Sequence, residues 1–293
     1  MVEVVVTDEA GRGGGEVADE VRAAVAELAG RVERRTGLGL GPECHVRLLN
    51  PDAYALAHEA HERRVAAALL AGDLLHAIPD PVHRRRVKAA LRLADSAHSG
   101  AYSAANRTFG CLPSSRAQPG ADGGCTILLA PALLRRSAGA ASRDAVRSVL
   151  AHQLVHQAQF RLWGPSLVLD LRVAHLTHLA SRAAAGERPD LSAVLEGHAR
   201  FTARELLAAD FVEERKAGRL VRRLWGPSRG PALYDRGEDC VRKAVESGVT
   251  DLPARLRADP ELAPAARELA DPDCWVARLT GADEPVRPEP AGS

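Results

Sequence analysis

Aromatic residues are scarce in this chain: four Phe, three Trp and three Tyr make up 3% of 293 residues, so any that falls beside a motif carries weight. Charge of one sign is missing too. With 39 basic against 38 acidic residues the net charge is +1, which gives no bulk attraction to nucleic acid or to an anionic membrane surface. No window approaches the roughly 18 uninterrupted apolar residues of a membrane span. The N-terminus, Met1 to Ala10, has only a short apolar run and no basic segment ahead of it. No secretory signal is expected there, and the expected compartment is the cytoplasm. Cys44, Cys111, Cys125, Cys240 and Cys274 are odd in number and contain no Cys-x-x-Cys pair. That spacing excludes a zinc ribbon or a disulfide framework and reads as reduced thiols. No internal repeat is present. What remains, 46% hydrophobic and 26% charged, is the composition of an ordered globular protein.

The chain begins with a β-branched strand at Val2 to Thr7 and a glycine turn at 11–15. A helix over about Glu16 to Arg35 follows, with Val17, Val21, Val25, Leu28 and Val32 at three- and four-residue steps, the stripe of a helix packed on one side. A second strand is expected at Cys44 to Leu49. Asn50-Pro51-Asp52 then caps a helix to about His76, and Ile78 to Pro81 separates it from another at about Val82 to Asn106. The Gly-, Pro- and Ser-rich stretch 109–124 reads as loop, and Cys125 to Ala130 as a short apolar strand. Helices dominate thereafter: one is expected after Trp163-Gly164-Pro165 through about Ala184, Asp190 is placed to cap another, a Gly/Pro loop is expected between Trp225 and Tyr234 ahead of a helix at Asp235 to Glu246, and the last residues, 282–293, read as a disordered tail.

The most informative stretch is Val149 to Phe160, a helical run without Gly or Pro in which His152 and His156 stand four residues apart on one face. Zinc helices of the His-Glu-x-x-His type use this spacing: two ring nitrogens converge on one ion, and the Glu after the first His is the general base. Here that position holds Gln153. With 11 histidines in the chain such a pair also arises by chance, and a downstream carboxylate is needed to give it meaning. Two other pairs, His58/His61 and His175/His178, are three residues apart. The first sits among Glu59, Glu62, Arg63 and Arg64 and reads as a solvated charged face.

The downstream carboxylate exists. Leu195-Glu196-Gly197-His198-Ala199 lies in a later helical segment, and Gly197 costs that helix about 1 kcal/mol against Ala, which suggests that another backbone comes close there. Helical periodicity sets Glu196 and His198 about 200° apart, so the two are not expected to share one ion. Taken with Tyr234-Asp-Arg-Gly237, the set resembles the gluzincin branch of the zincin metallopeptidases, specifically bacterial peptidase-like members that pair a His-Glu-x-x-His helix with a Glu-Gly helix and a later Tyr-x-x-Gly. The resemblance spans about Cys44 to Val249, with gaps.

The resemblance implies an α+β, predominantly helical, zincin-like fold with a small N-terminal sheet. It implies one domain over 1–281, with an N-terminal lobe to about 161 and a helical lobe from about 162. His152, His156 and Glu196 would be the zinc ligands, and Tyr234 the phenol that donates to an oxyanion. Arg200 stands where some gluzincins place an Asp that orients a ligand histidine, and at four residues from Glu196 it is also a candidate ion-pair partner. Gln153 departs from the family: an amide holds water but cannot take its proton, and loss of a positioned base costs about 10²–10⁴-fold. His198 is the candidate substitute base. The expectation is a zinc-binding metallopeptidase-like protein with impaired or altered hydrolysis, its cleft taking an extended peptide or a small molecule. A non-catalytic peptide-binding module, a site repurposed for another reaction, and an engineered Glu-to-Gln exchange are the alternatives.

Overall fold

A computed structural model describes residues 2–11, 14–72, 75, 81–96, 114–120, 124–138, 143–164, 166–169, 171, 189–212 and 231–281. Cys111, half of the 109–124 stretch (109–113 and 121–123), His175, His178, the part of the helix expected up to about 184 that follows 171, residues 213–230 and the tail 282–293 lie outside the described residues.

The order of elements is β1 (Glu3–Glu9), α1 (Gly14–Thr36), β2 (Glu43–Leu49), α2 (Pro51–Ala71), α3 (Pro81–Ser96), β3 (Ser115–Pro119), β4 (Cys125–Leu129), α4 (Pro131–Ala138), α5 (Arg143–Trp163), α6 (Leu191–Leu207), α7 (Pro231–Glu246), α8 (Leu252–Ala258), α9 (Ala266–Ala270) and α10 (Pro272–Thr280). The molecule is therefore mostly helical α+β with a four-stranded sheet in its first half, ordered β1-β2-β4-β3. β1, β2 and β4 run parallel, and β3 closes one edge antiparallel to β4. Among the described residues no helix is long and apolar enough to cross a membrane.

Alternation along the strands separates the two faces of the sheet. Val46 and Leu48 of β2 and Ile127 and Leu129 of β4 point to one face, where they pack with Val17, Val21, Val25, Leu28 and Val32 of α1 and with Val146, Leu150 and Leu154 of α5. The five-residue apolar stripe expected on α1 is thus the stripe that is buried. Leu128 points the other way and packs with Tyr54 of α2. A further cluster joins α6 and α7 to the C-terminal helices through Val194, Phe201, Val241, Leu256 and the fully buried Trp275, whose indole N–H donates to the Leu262 carbonyl at 2.8 Å. The two caps read from the sequence are in place: Asn50 accepts from the Ala53 N–H at 2.9 Å and Asp190 from the Ala193 N–H at 3.0 Å.

Three expectations are corrected. The stretch read as loop contains β3, whose Ser-Arg-Ala-Gln-Pro sequence carries no apolar alternation and which is held by β4 and by a helix side chain. Tyr234 lies inside the first turn of α7, which begins at Pro231, where a loop was expected. The His58/His61 face of α2 is not solvated: His58, Glu59 and His61 are all buried. Arg116 of β3, in register with Leu128, reaches this helix, at 3.0 Å from both His58 Nδ1 and Glu62 Oε1. Burial, followed by the charge of Arg116, lowers the His61 pKa to about 4, so its ring is neutral and can sit inside.

Candidate metal centre

Helices α5 and α6 cross so that the two histidines face the carboxylate. On α5, residues 152, 156 and 159 follow each other at four and three positions and share the face turned to α6. On α6, Glu196 meets them: its Oε1 lies 3.3 Å from His152 Nε2 and its Oε2 lies 3.2 Å from His156 Nε2. The two Nε2 atoms are 3.0 Å apart. One ligand atom from each of the three residues lies within 4.8 Å of the others, and this is the one group among the described residues that could hold a metal ion.

The spacing fits an ion. Ligands at about 2.0–2.2 Å from a tetrahedral zinc are separated by roughly 3.3 Å from one another, close to the separations here. Two nitrogens and one carboxylate also leave a fourth position open, as a catalytic zinc requires. Three acceptor atoms at such distances repel one another unless a proton or a metal ion lies between them.

The tautomer of His156 follows from its neighbour. Gln159 is buried, and its amide nitrogen donates to the Leu195 carbonyl at 2.9 Å, which fixes the amide's orientation. Its oxygen therefore faces His156 Nδ1 at 2.8 Å, and that nitrogen must carry the hydrogen. The lone pair is left on Nε2, pointing at the centre, the arrangement by which a histidine is oriented toward a metal. The second amide hydrogen of Gln159 points to His198 Nδ1 at 3.2 Å, so that nitrogen is the acceptor and the remaining hydrogen of neutral His198 is on Nε2. Burial, then the charges of His156 and Arg35, lower the His198 pKa to about 4.

Electrostatics polarise the cluster. For His152 burial outweighs Glu196 and the pKa falls. For His156 burial acts the same way, but the hydrogen bond and charge of Glu196 overcome it and the pKa rises. Burial would raise the Glu196 pKa, yet the two imidazoles hold it well below the usual carboxylate range. The chain keeps an anionic ligand ready without a metal.

Gly197 explains how α6 comes so close to α7. A Cβ there would stand 2.2 Å from the Gly237 carbonyl carbon, and a Cβ on Gly237 would stand 2.0 Å from the Ala193 carbonyl oxygen. The two helices touch backbone to backbone, Gly197 against Gly237 and Gly237 against Ala193, which is the close approach that Gly197 suggested. Tyr234, half-buried, is three residues before Gly237 and so one turn from the crossing. Arg200 takes its partners from α7, Asp235 at 2.6 Å and Glu238 at 3.4 Å. Glu196 is left to the histidines.

Gln153 is used elsewhere. Its oxygen accepts the Ala117 N–H at 2.7 Å and its nitrogen donates to Ser115 Oγ at 3.1 Å, so the amide ties α5 to β3. Gln157 ties the helix on another side through its nitrogen alone, donating to the carbonyls of Leu40 and Glu43, both at 3.0 Å. Of the residues named from the sequence, His152, His156 and Glu196 come together, His198 stands behind His156 by way of Gln159, and Gln153 turns to the sheet. Gln159 was not singled out. Its position three residues after His156 was the signal for it.

No protein-family model and no curated protein matches this chain. Among solved structures it is similar to one described as "Crystal structure of a putative hydrolase with a novel fold from Chloroflexus aurantiacus", with a TM-score of 0.57, 16% sequence identity and 89% of each chain covered. At that identity the likeness is one of fold.

Proposed function

We propose that this chain is a zinc-dependent hydrolase of the metallopeptidase-like kind, with chemistry altered by the amide at position 153. The observation that carries the reading is the His152–His156–Glu196 cluster with mutual distances of 3.0–3.3 Å and the Gln159 hydrogen bond that aims the His156 lone pair into it. The fold shared with the neighbour described as a "putative hydrolase" supports it. His152, His156 and Glu196 would hold the ion, which would supply a Lewis acid for a carbonyl or phosphoryl oxygen.

The residues around the ligands set the limits of the reaction. Gln153 cannot accept a proton, and His198 is buried behind His156, where it steadies Gln159 and with it the ligand. Without a carboxylate to carry a proton to a leaving amine, peptide hydrolysis is weak, by the 10²–10⁴-fold that a general base or acid is typically worth. Acyl substrates with better leaving groups need that proton less. Tyr234, one turn from the helix crossing, is the candidate donor to an oxyanion.

The test is elemental analysis of purified protein together with hydrolysis of p-nitrophenyl acetate. The wild type is expected to carry about one zinc per chain and to lose ester hydrolysis on chelation, and His156→Ala is expected to carry none. Absence of bound metal in the wild type after zinc loading would end the reading.

A further inference from the structure

We propose that Gln153 is a specificity-determining residue that seals the free edge of β3, so that the metal centre admits compact substrates and excludes extended polypeptides. The proposal rests on the hydrolase reading for its meaning, but its geometry stands independently.

β3 is the strand an extended peptide would join, because among the described residues it is a sheet edge and it packs against the helix that carries both histidines. Strand addition requires outward-pointing N–H and C=O groups on alternate residues. The register of β3 identifies them. The Ala130 N–H donates to the Ser114 carbonyl and the Gly120 N–H to the Gly124 carbonyl, so the directly opposed pairs Ser114–Ala130 and Gly120–Gly124 are hydrogen-bonded pairs. By alternation Arg116–Leu128 and Gln118–Thr126 are as well. Ser115, Ala117 and Pro119 therefore turn their backbone groups away from β4.

At that outer edge, where Ser115 and Ala117 are themselves buried, the donors are nearly exhausted. Pro119 has no N–H. The Ala117 N–H, at the centre of the strand, is taken by Gln153 Oε1 at 2.7 Å. The amide is locked there by its second bond, to Ser115 Oγ at 3.1 Å, and Gln153 is buried. An incoming strand would find at most the Ser115 N–H, and to pair with Ala117 it would have to break a buried hydrogen bond and strand the amide. The residue that stands in the general-base position of the resembled motif thus occupies the site where a polypeptide carbonyl would dock.

The experiment measures edge binding directly. Fluorescein-labelled β-casein, an unfolded polypeptide, is titrated into metal-free and zinc-loaded protein and followed by anisotropy, and amide exchange at residues 115–119 is measured in parallel. The wild type is expected to show slow exchange at Ala117 and no saturable casein binding at micromolar protein. Gln153→Ala is expected to exchange Ala117 at least tenfold faster and to bind casein at least tenfold tighter in both metal states. Gln153→Glu is expected to behave as the wild type, because a carboxylate still accepts the Ala117 N–H and the Ser115 hydroxyl can turn to donate. Fast exchange of Ala117 in the wild type would overturn the proposal without any variant. So would casein binding by the wild type as tight as by Gln153→Ala. Because the binding is read on metal-free protein too, failure to find zinc would remove the hydrolase reading and leave the edge result standing.

Discussion

The crossing of α6 and α7 gives a test in which the same substitution has opposite effects at two helix positions. In Gly30→Ala, within α1, the new methyl would meet only the end of the Arg34 side chain, at 3.3 Å, and that chain can swing aside. The helix then gains stability, by up to about 1 kcal/mol, from the lower conformational freedom of the unfolded chain. In Gly197→Ala the same gain is available, but the methyl would stand 2.2 Å from the Gly237 carbonyl carbon, and a backbone cannot rotate away. Overpacking costs roughly 1–3 kcal/mol, and a contact this short on main-chain atoms belongs at the upper end. The net loss is about 2 kcal/mol, or a melting temperature lowered by about 4–8 °C in a chain of this size. Since Glu196 is the adjacent residue, zinc affinity is expected to fall along with it. Thermal melts with and without zinc read both effects. In the Gly197→Ala background, Gly237→Ala should cost less than it does alone, because the first methyl has already parted the helices. A Gly197→Ala protein that melts at or above the wild-type temperature would refute the backbone contact and the account of how Glu196 is placed.

Other consequences follow from named groups. Gln159→Ala removes the acceptor that fixes the His156 tautomer and should weaken zinc binding 10–100-fold, as loss of an outer partner of a metal ligand does, measured by competition with a chromophoric chelator. His61 has a folded pKa of about 4 against the ordinary 6.5. Between these values the unfolded chain takes up a proton that the folded chain refuses, so stability falls as the pH drops from about 6.5 to about 4, by roughly 3 kcal/mol in full. Urea unfolding of wild type and His61→Gln at pH 7 and pH 4.5 checks this, the variant losing less. Glu268 is buried, and although burial alone would raise its pKa, the Arg278 guanidinium at 2.7 Å and the Ala265 N–H at 2.8 Å bring it below the ordinary value. Its contribution is present above the ordinary carboxylate pKa and is lost as the pH falls through the depressed one. Arg278→Ala should cost about 2–3 kcal/mol, less than a fully buried pair because Arg278 is partly exposed, and should flatten that acid dependence in the same urea assay.

What could be read from the sequence was whatever depended on a residue's own identity and its spacing along one element. The α1 stripe, the Asn50 and Asp190 caps, the His152/His156 face and the strain implied by Gly197 are all of this kind. They reappear in the structure because helical period and backbone sterics act locally. What could not be read depended on partners far away in the chain. Ser115 to Pro119 is a strand because β4 and the Gln153 amide pair with its two edges, and nothing within those five residues announces either. His58 and His61 are buried because Arg116, more than 50 residues on, reaches their helix, and no local charge pattern shows that.

The metal helix shows why the residue at 153 is easy to misread. Measured against a His-Glu-x-x-His motif, Gln153 is a missing base. Within the helix it is one of three buried glutamines, with Gln157 and Gln159, and each spends its amide on a different neighbour: β3, the segment leading into β2, and α6. Gln153 and Gln159 both donate and accept, and Gln157 donates twice; a neutral amide suits such work, since a buried carboxylate offers acceptors alone and adds the cost of a charge. The helix that carries the ligands is thereby fixed to its surroundings on three sides, and a rigid mount for two histidines is what convergent ligand geometry needs. On this argument restoring the motif by Gln153→Glu does not restore a general base. The carboxylate would be drawn to the Ala117 N–H and the Ser115 hydroxyl, and peptide hydrolysis by the zinc-loaded variant should stay at the wild-type level. A large gain in peptidase activity from that single change would show that the side chain leaves β3 for the metal, and would refute the role assigned to Gln153 here.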